Sequence, residues 1–542
     1  DMAGTSKSVT EGKATIWQHG NEVFYNPVQE TNRDLSIIVI KLFQELRQKE
    51  KEQGLRHARV RGDEGIRVLE ALSASGLRSI RYAKEIDGLQ EIVANDFDEA
   101  AVEAIRSNIV RNDVAPGKIT VSHNDAAVLM YLNRSPGKQF DVVDIDPYGT
   151  AAPFLDAAVQ AVVDGGLLCV TCTDLAVLCG SHPEVCMSNY GGMSLKGKFC
   201  HEMALRLLLN AIERAANRYK RHIVPLVNMH IDFYIRCFVR VMASPAGVKN
   251  SISKTAVVYN CTNCTSFYLQ PQGRIQPIYE KHKMARKAAK KSASAAAVDA
   301  DATVPAEEES EPSKAPLQEE ERKVIGQKHG PAIGPPCGPN CDVCGSHFHV
   351  GGPIWSDALY DTEFVTRALA HVETNSSLYG SQERLKARLT ALLDEDPHEV
   401  LFHDFSAMTQ IMKINSFSPI LFKSALQSLG FTTSISHTYP LAIKTNAPST
   451  IVWDVMRHWY KDNPATLTPS PNSPAAKILA KEPSIPPVNF EIPPPAKEKK
   501  PRFLKNPAPM WGPATRATGK RTATRPDEEA AKKAKISDPQ EE

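Results

Sequence analysis

From about residue 66 to 173 the chain alternates short apolar runs with amphipathic helical stretches, a pattern that few architectures can satisfy. Residues 67–72, 91–95, 118–122, 140–145 and 166–173 read as strands, and 76–85, 99–111, 126–132 and 153–163 as the helices between them. Strands joined by helical crossovers run parallel, so the predicted fold class is α/β, a doubly wound, Rossmann-like sheet. In such a sheet ligands bind outside the carboxyl ends of the strands. The residues just past each strand therefore carry the functional argument.

After the first strand comes a glycine-bearing turn, Glu70-Ala-Leu-Ser-Ala-Ser-Gly76-Leu-Arg78, which lets backbone approach a ligand at a helix N-terminus. It is not GxGxxG. The second strand ends in Asn95-Asp96, where an acid can bind ribose hydroxyls. The third leads to His123-Asn124-Asp125-Ala126, whose acid can accept from an adenine amino group or simply cap the next helix. An acid follows the fourth strand as well, at Asp146.

That fourth strand runs into Asp144-Ile-Asp146-Pro147-Tyr148-Gly149-Thr150. A carboxylate, a rigid proline and an aromatic ring arrive together at a strand end. Methyl transfer to an exocyclic amino group needs this trio, because such a nitrogen has its lone pair delocalised into the base. A carboxylate accepting its N–H proton frees that lone pair, and an aromatic face stacks a flipped base. The competing reading is a strand that ends in an ordinary Asp-Pro turn. Asp146 is the candidate acceptor, and Asp144, two residues earlier, reads as supporting.

Upstream, 23–27 reads as a short strand entering a turn, and Thr31 or Asn32 as the cap of a helix over 33–53. Arg33 sits in the first turn of that helix, against its dipole. It is either a structural arginine on a solvated face or a cation held for an anionic ligand. Downstream, 174–198 reads as a long irregular segment, 201–219 as a helix, and 223–229 with 232–241 as two strands. A catalytic domain over residues 1–245 is expected. His201, His222 and His230 lack metal-ligand spacing and read as structural.

Cys261-x-x-Cys264 and Cys341-x-x-Cys344 are two knuckles, each able to give two thiolates to tetrahedral zinc. The segment between them, about 281–330, is basic, then alanine-rich, then acidic, and is expected to loop out without folding. One structural zinc held by all four cysteines is the favoured reading. Two unrelated turns are the alternative, with Cys337 a rival ligand. Helices are expected over 363–373, 382–393, 405–412, 420–429 and 451–460, with 432–439 and 441–445 as a wing. This winged-helix-like part belongs to a C-terminal domain over 246–465. From 466 a disordered basic tail is expected, whose Phe503, Trp511 and lysines suit an RNA backbone. Its last basic clusters resemble a nuclear import signal.

Composition narrows the classes. A length of 542 residues implies more than one domain, and a formal charge of +2 gives no global pull on nucleic acid. Eleven cysteines, mostly in apolar runs, read as intracellular thiols. No apolar run approaches the roughly 20 residues of a membrane span, so no membrane partner is expected. The start at Asp1-Met2 leaves room for a preceding transit peptide, so nucleus and mitochondrion are the expected locations.

Taken together, the chain resembles the tRNA (guanine26-N2)-dimethyltransferases, class I S-adenosylmethionine-dependent methyltransferases. The resemblance covers roughly residues 9–465. It rests on Thr10-Glu-Gly-Lys13, Val23-Phe-Tyr-Asn-Pro27, Asn32-Arg-Asp34, Leu72-Ser-Ala-Ser-Gly-Leu-Arg78, Asn95-Asp96, Asp146-Pro-Tyr-Gly149, the CxxC pairs and Gly351-Gly-Pro-Ile-Trp355. It implies that Arg33 and Arg78 meet the donor's carboxylate end, Asp96 its ribose, and Asp125 with Ala126 its adenine. It also implies that Asp146 accepts from guanine N2, that Phe24 and Tyr148 flank the base, and that the protein acts on tRNA as a monomer. Family members often have phenylalanine where Tyr148 stands, and the 281–330 spacer is a larger departure. Two other readings compete: an amino-group methyltransferase for adenine N6 or cytosine N4, and an RNA-binding scaffold without catalysis. The former families carry an acid-Pro-Pro-aromatic loop, whereas here Gly149 follows Tyr148 directly and there is no second proline.

Overall fold

The structure, a computed structural model, describes residues 7–18, 25–55, 57, 65–279, 324–464, 469–491, 502–507 and 511–512. A hairpin comes first, β1 (Lys7–Glu11) and β2 (Ala14–Gln18), followed by the long helix α1 (Glu30–Glu52). Then the alternation begins: β3 (Ile66–Glu70), α2 (Leu77–Glu85), β4 (Leu89–Asp96), α3 (Glu99–Arg111), β5 (Ile119–His123), α4 (Ala126–Leu132) and β6 (Phe140–Ile145). It continues through α5 (Leu155–Ala161), β7 (Val162–Cys172), α6 (Leu175–Leu178), α7 (Pro183–Tyr190) and α8 (Cys200–Asn217) to the hairpin β8 (Arg221–Ile231) and β9 (Tyr234–Ala243).

These strands form one seven-stranded sheet in the order β5-β4-β3-β6-β7-β9-β8. The first five are parallel, and β9 and β8 close the sheet antiparallel. The chain walks outward from β3 to β5 and then returns to β6 beside β3. That reversal is the switch point at which doubly wound sheets open a crevice. Glu70 and Asp144 pair across it in register. The predicted α/β class is the observed one.

Several local expectations are corrected. The helix expected from residue 33 begins at Glu30, and Thr31 and Asn32 lie inside it, buried. A 3-10 turn, Pro27–Gln29, precedes it, and Asn26 caps that turn by accepting from the Val28 N–H at 3.0 Å. In place of a strand over 23–27, residues 25–29 are therefore turn, and 23 and 24 lie outside the described residues. β7 starts at Val162, earlier than expected. Gly165 and Gly166 lie inside it and absorb an irregularity between the Phe140–Val162 and Val142–Leu167 pairings, Gly165 at φ +72°. The segment 174–198 is not irregular: Pro183 opens α7 and Gly191, left-handed at φ +69°, ends it.

Beyond the sheet, one apolar core continues from α1 into helices Thr362–Thr374 and Gln382–Leu393. Asp34 on α1 accepts from the Ser381 N–H and Oγ at 3.0 and 2.7 Å. Arg206 on α8 donates to the carbonyls of Trp355, Asp357 and Glu399. A second core gathers the knuckle cysteines with helices Phe405–Met412, Pro419–Ser428 and Ser449–Asp462. A small sheet, ordered His403–Asp404, Ala442–Thr445, Thr433–Ser434, completes the winged-helix-like part.

Two stretches expected not to fold do so. Residues 324–330, counted in the spacer, belong to the strand Val324–Pro331, paired antiparallel with Gly273–Tyr279; 281–323 lie outside the described residues. In the tail, Pro474–Leu479 is a helix whose Ile478 is fully buried and whose Ile478 carbonyl accepts from Arg457 Nε at 2.7 Å. Apolar side chains spaced among the prolines, Phe490 packing against Trp459 at 5.0 Å, anchor what composition alone marks as solvated. Among the described residues no helix is long and apolar enough to cross a membrane.

Candidate active site

A cavity of about 510 Å³ opens at the carboxyl ends of β3, β4 and β6. It brings together Arg33, Arg78, Asp96, Asp146, Pro147 and Tyr148, all singled out from the sequence. Glu70, Thr173 and Phe233 also line it and were not foreseen as site residues. Asp125 and Ala126 are not among its walls. Asp125 caps α4, accepting from the Val128 N–H at 2.9 Å, and Ala126 is buried behind it. Phe24 lies outside the described residues; its neighbour Tyr25 lines the cavity.

Arg33 is not on a solvated face. Its Nε and one terminal nitrogen reach Glu11 at 2.6 and 2.5 Å, at the end of β1 in a hairpin that packs on α2. Burial alone would raise the Glu11 carboxyl, and Arg33 with Arg81 overrides this and holds it below the usual carboxylate range. The Arg33 charge is thus matched inside the protein before any ligand arrives.

Arg78 is more heavily committed. It bonds Asp146 and lies 3.5 Å from Asp144 and 3.4 Å from Glu70, and it donates to Ser36 Oγ at 3.1 Å. Asp144 is buried and bound by Arg236, and Tyr82 donates to it at 2.6 Å. Its carboxyl, which burial would raise, is held below the ordinary range by Arg236 and Arg78. Asp144 therefore acts as the fixed anion under the site. Burial pushes Glu70 up to about 7 against the pull of Arg78. A third carboxylate at this point would crowd two others on one guanidinium. The sequence did hold a signal for Glu70, an acid at the first strand's end, as at the next three.

Asp146 keeps contact with a further residue of α1: Asn32 donates to it at 3.4 Å and to Gln29 Oε1 at 2.8 Å. The loop beyond is pinned to β7. Gly149 N–H donates to Thr173 Oγ1 at 2.8 Å, and Thr173 N–H returns a bond to the Gly149 carbonyl at 2.9 Å. Gly149 at φ +92° makes this turn, a conformation that a side chain at that position would oppose. Tyr148 is 49% exposed at the rim of the cavity.

One wall of the cavity keeps the acceptor capacity that the hydroxyls of an adenosyl donor need. Asp96 accepts from the Ala74 and Asp98 N–H groups at 2.8 and 3.0 Å, one to each oxygen, which leaves lone pairs for hydroxyl donors. Gly76, at φ +75°, starts α2 tight against Ile105 of α3, where a side chain would be crowded.

The four knuckle cysteines converge. All are buried and their sulfurs lie within 4.8 Å of one another, Cys261–Cys344 at 3.4 Å and Cys264–Cys341 at 3.5 Å. Tetrahedral zinc–thiolate bonds of about 2.3 Å put sulfurs about 3.8 Å apart. The two knuckles repeat one geometry: Cys261 N–H donates to Ser266 O and Cys341 N–H to Ser346 O, each at 2.8 Å, with Thr265 and Gly345 left-handed between. Cys337 is not part of the cluster.

A sequence profile of the N2,N2-dimethylguanosine tRNA methyltransferases matches residues 4–457. The chain belongs to that family. It is 40% identical to the tRNA (guanine(26)-N(2))-dimethyltransferase of Drosophila melanogaster, covering 94% of this chain and 86% of the relative. The Homo sapiens enzyme of the same name is 38% identical, over 94% and 77%. Among solved structures, Trm1 from Pyrococcus horikoshii with S-adenosyl-L-methionine aligns at a TM-score of 0.60 and 24% identity, covering 83% of this chain and 99% of that one, which shows a shared fold. Like its family, the protein is an S-adenosylmethionine-dependent tRNA methyltransferase, with the activity of a tRNA (guanine26-N2)-dimethyltransferase.

Proposed function

We propose that guanine 26 is dimethylated in the cavity at the switch point, with Asp146 accepting the proton of its N2 amino group. The observation that carries this is the position of Asp146: at the end of β6, in the cavity wall, joined to Arg78 and followed by the rim aromatic Tyr148. S-adenosylmethionine, when bound, supplies an electrophilic methyl group. Arg78 and Asn32 orient the Asp146 carboxylate, so one oxygen can meet an N–H without a search through rotamers. Accepting that proton localises the N2 lone pair. After one methylation N2 still carries an N–H, and the same carboxylate acts again, which accounts for a dimethylated product. Tyr148, joined by Phe24 on the family resemblance, stacks the extruded base. On the family resemblance, Asp96 takes the donor's ribose, and Arg33 and Arg78 meet its carboxylate end. Asp125 and Ala126 are assigned to its adenine by resemblance.

The same reading puts one structural zinc in the four-thiolate cluster. Four ligands close a tetrahedron, so this metal holds the fold and takes no part in transfer.

The deciding experiment replaces Asp146 with alanine and digests the treated tRNA to nucleosides. N2,N2-dimethylguanosine should fall by about 10²- to 10⁴-fold while calorimetry still detects S-adenosylmethionine binding. Transfer at the wild-type rate by Asp146→Ala would rule the assigned role out. N6-methyladenosine in the wild-type digest would rule out the substrate.

A further inference from the structure

A second cavity, about 440 Å³, lies between the segment entering α8 and the start of the helix Phe405–Met412. It shares no wall residue with the catalytic cavity. Lys196 and Lys198 stand exposed on it, and the buried rings of Phe199 and Phe402 form its apolar wall. Its size is within the range of small-ligand sites.

Two of its polar groups lack what buried groups require. Asp404 caps the helix Phe405–Met412 with Oδ1, which accepts from Ser406 N–H and Oγ at 3.0 and 2.8 Å. Its Oδ2 is buried with no hydrogen-bond partner among the described residues, and so is Asn260 Oδ1. Asp404 is 6% exposed and Asn260 8%, so bulk water does not satisfy them. Two residues with unpartnered acceptors, two lysines and an aromatic wall line one cavity, a set that matches a ligand with N–H donors, a flat ring and a phosphate.

We propose that this cavity takes one unpaired guanine nucleotide of the tRNA, a second recognition site apart from the base that is methylated. The assignment rests on the tRNA-methyltransferase reading. Guanine offers N1–H and N2–H₂ side by side, two donors for Asp404 Oδ2 and Asn260 Oδ1, while its phosphate meets Lys196 and Lys198. Uracil in a nucleotide has a single N–H and leaves one acceptor orphaned. Phe199 and Phe402 give the base an apolar contact without sequence preference, so the two acceptors carry the selection.

The test uses the full chain with three readouts. Saturation-transfer NMR should detect guanosine monophosphate more strongly than uridine monophosphate, and the guanosine signal should fall in Asp404→Asn, which keeps the helix cap. Asp404→Asn should weaken tRNA binding by about tenfold. Lys198→Ala should lower the slope of log affinity against log salt by about 1, as the loss of one phosphate contact does. An undiminished guanosine signal in Asp404→Asn, or unchanged tRNA affinity in both variants, overturns the assignment. Wild-type methylation of tRNA, run alongside, separates the two readings. If methylation is present while the variants bind as wild type, only the pocket assignment falls; if wild type does not methylate tRNA, the function itself is misread.

Discussion

Arg236 donates two hydrogen bonds of 2.9 Å to the two oxygens of Asp144, and both side chains are buried under the catalytic loop. Arg236 comes from the closing hairpin and Asp144 from the central strand, so the pair ties the antiparallel edge to the switch point. Removing Arg236 leaves the buried Asp144 carboxylate with only the Tyr82 hydroxyl and the more distant Arg78. Arg236→Ala should therefore destabilise the fold by about 3–5 kcal/mol, read as a lower denaturant midpoint. It should also reduce methyl transfer, because Asp144 would then draw Arg78 away from Asp146. A variant with normal stability would mean that the pair does not carry the load assigned to it.

Glu70 gives a pH dependence of a particular sign. Its carboxyl sits at about 7 in the fold, above the ordinary value of 4.5, so between those values the folded chain holds a proton that the unfolded chain has lost. The stability this proton confers is full below pH 4.5 and is lost as pH rises through 7, a span of about 3 kcal/mol. Asp144, held low, runs the other way, its stabilisation present at neutral pH and lost on acidification. The comparison to make is between wild type and Glu70→Gln, melted from pH 5 to 8. The advantage of wild type should shrink with rising pH, and a difference that stays flat would place the Glu70 carboxyl near 4.5.

Thr173 holds the catalytic loop by one hydroxyl. Thr173→Val keeps the shape but leaves the Gly149 N–H without its 2.8 Å acceptor, at a cost of about 1–3 kcal/mol. Loop misplacement should lower the transfer rate by about tenfold, with Thr173→Ser close to wild type. Equal rates in Thr173→Val and wild type would show that the reciprocal backbone bond suffices.

The strand ends were legible because two signals coincide there: the apolar run fixes where each strand stops, and an acid follows. That is why Asp96 and Asp146 were found and meet in one cavity. Asp125 carries the same signal and instead caps α4, since an acid before a helix satisfies backbone N–H groups equally well. Arg33 was ambiguous for another reason. Its partner Glu11 lies in a hairpin that the sequence reading missed, and pairing across that distance follows from tertiary packing. Phe233 reaches the cavity from the turn between β8 and β9, where Asp232 pairs with Arg384 and Arg388 of a distant helix. No local pattern encodes such a contact. Composition misled in the tail, where proline and lysine dominate but one buried isoleucine, Ile478, decides the packing.

The cysteine cluster yields the last prediction. The strands Gly273–Tyr279 and Val324–Pro331 pair antiparallel between the two knuckles in sequence, so one ladder joins the chain on either side of residues 280–323. Around them pack Trp453, whose Nε1 donates to Ser266 at 2.9 Å, and the rest of the second core. A metal held there would link the β-rich knuckles to the helices behind. Purified protein should contain about one zinc per chain, and Cys341→Ser should lose it. Loss of metal should lower the melting temperature and weaken tRNA binding, because the second core contains the helices around Trp453. S-adenosylmethionine binding should persist, since its cavity draws on none of these residues. Metal analysis that finds no zinc in active enzyme would return the four thiols to the role of a buried apolar cluster.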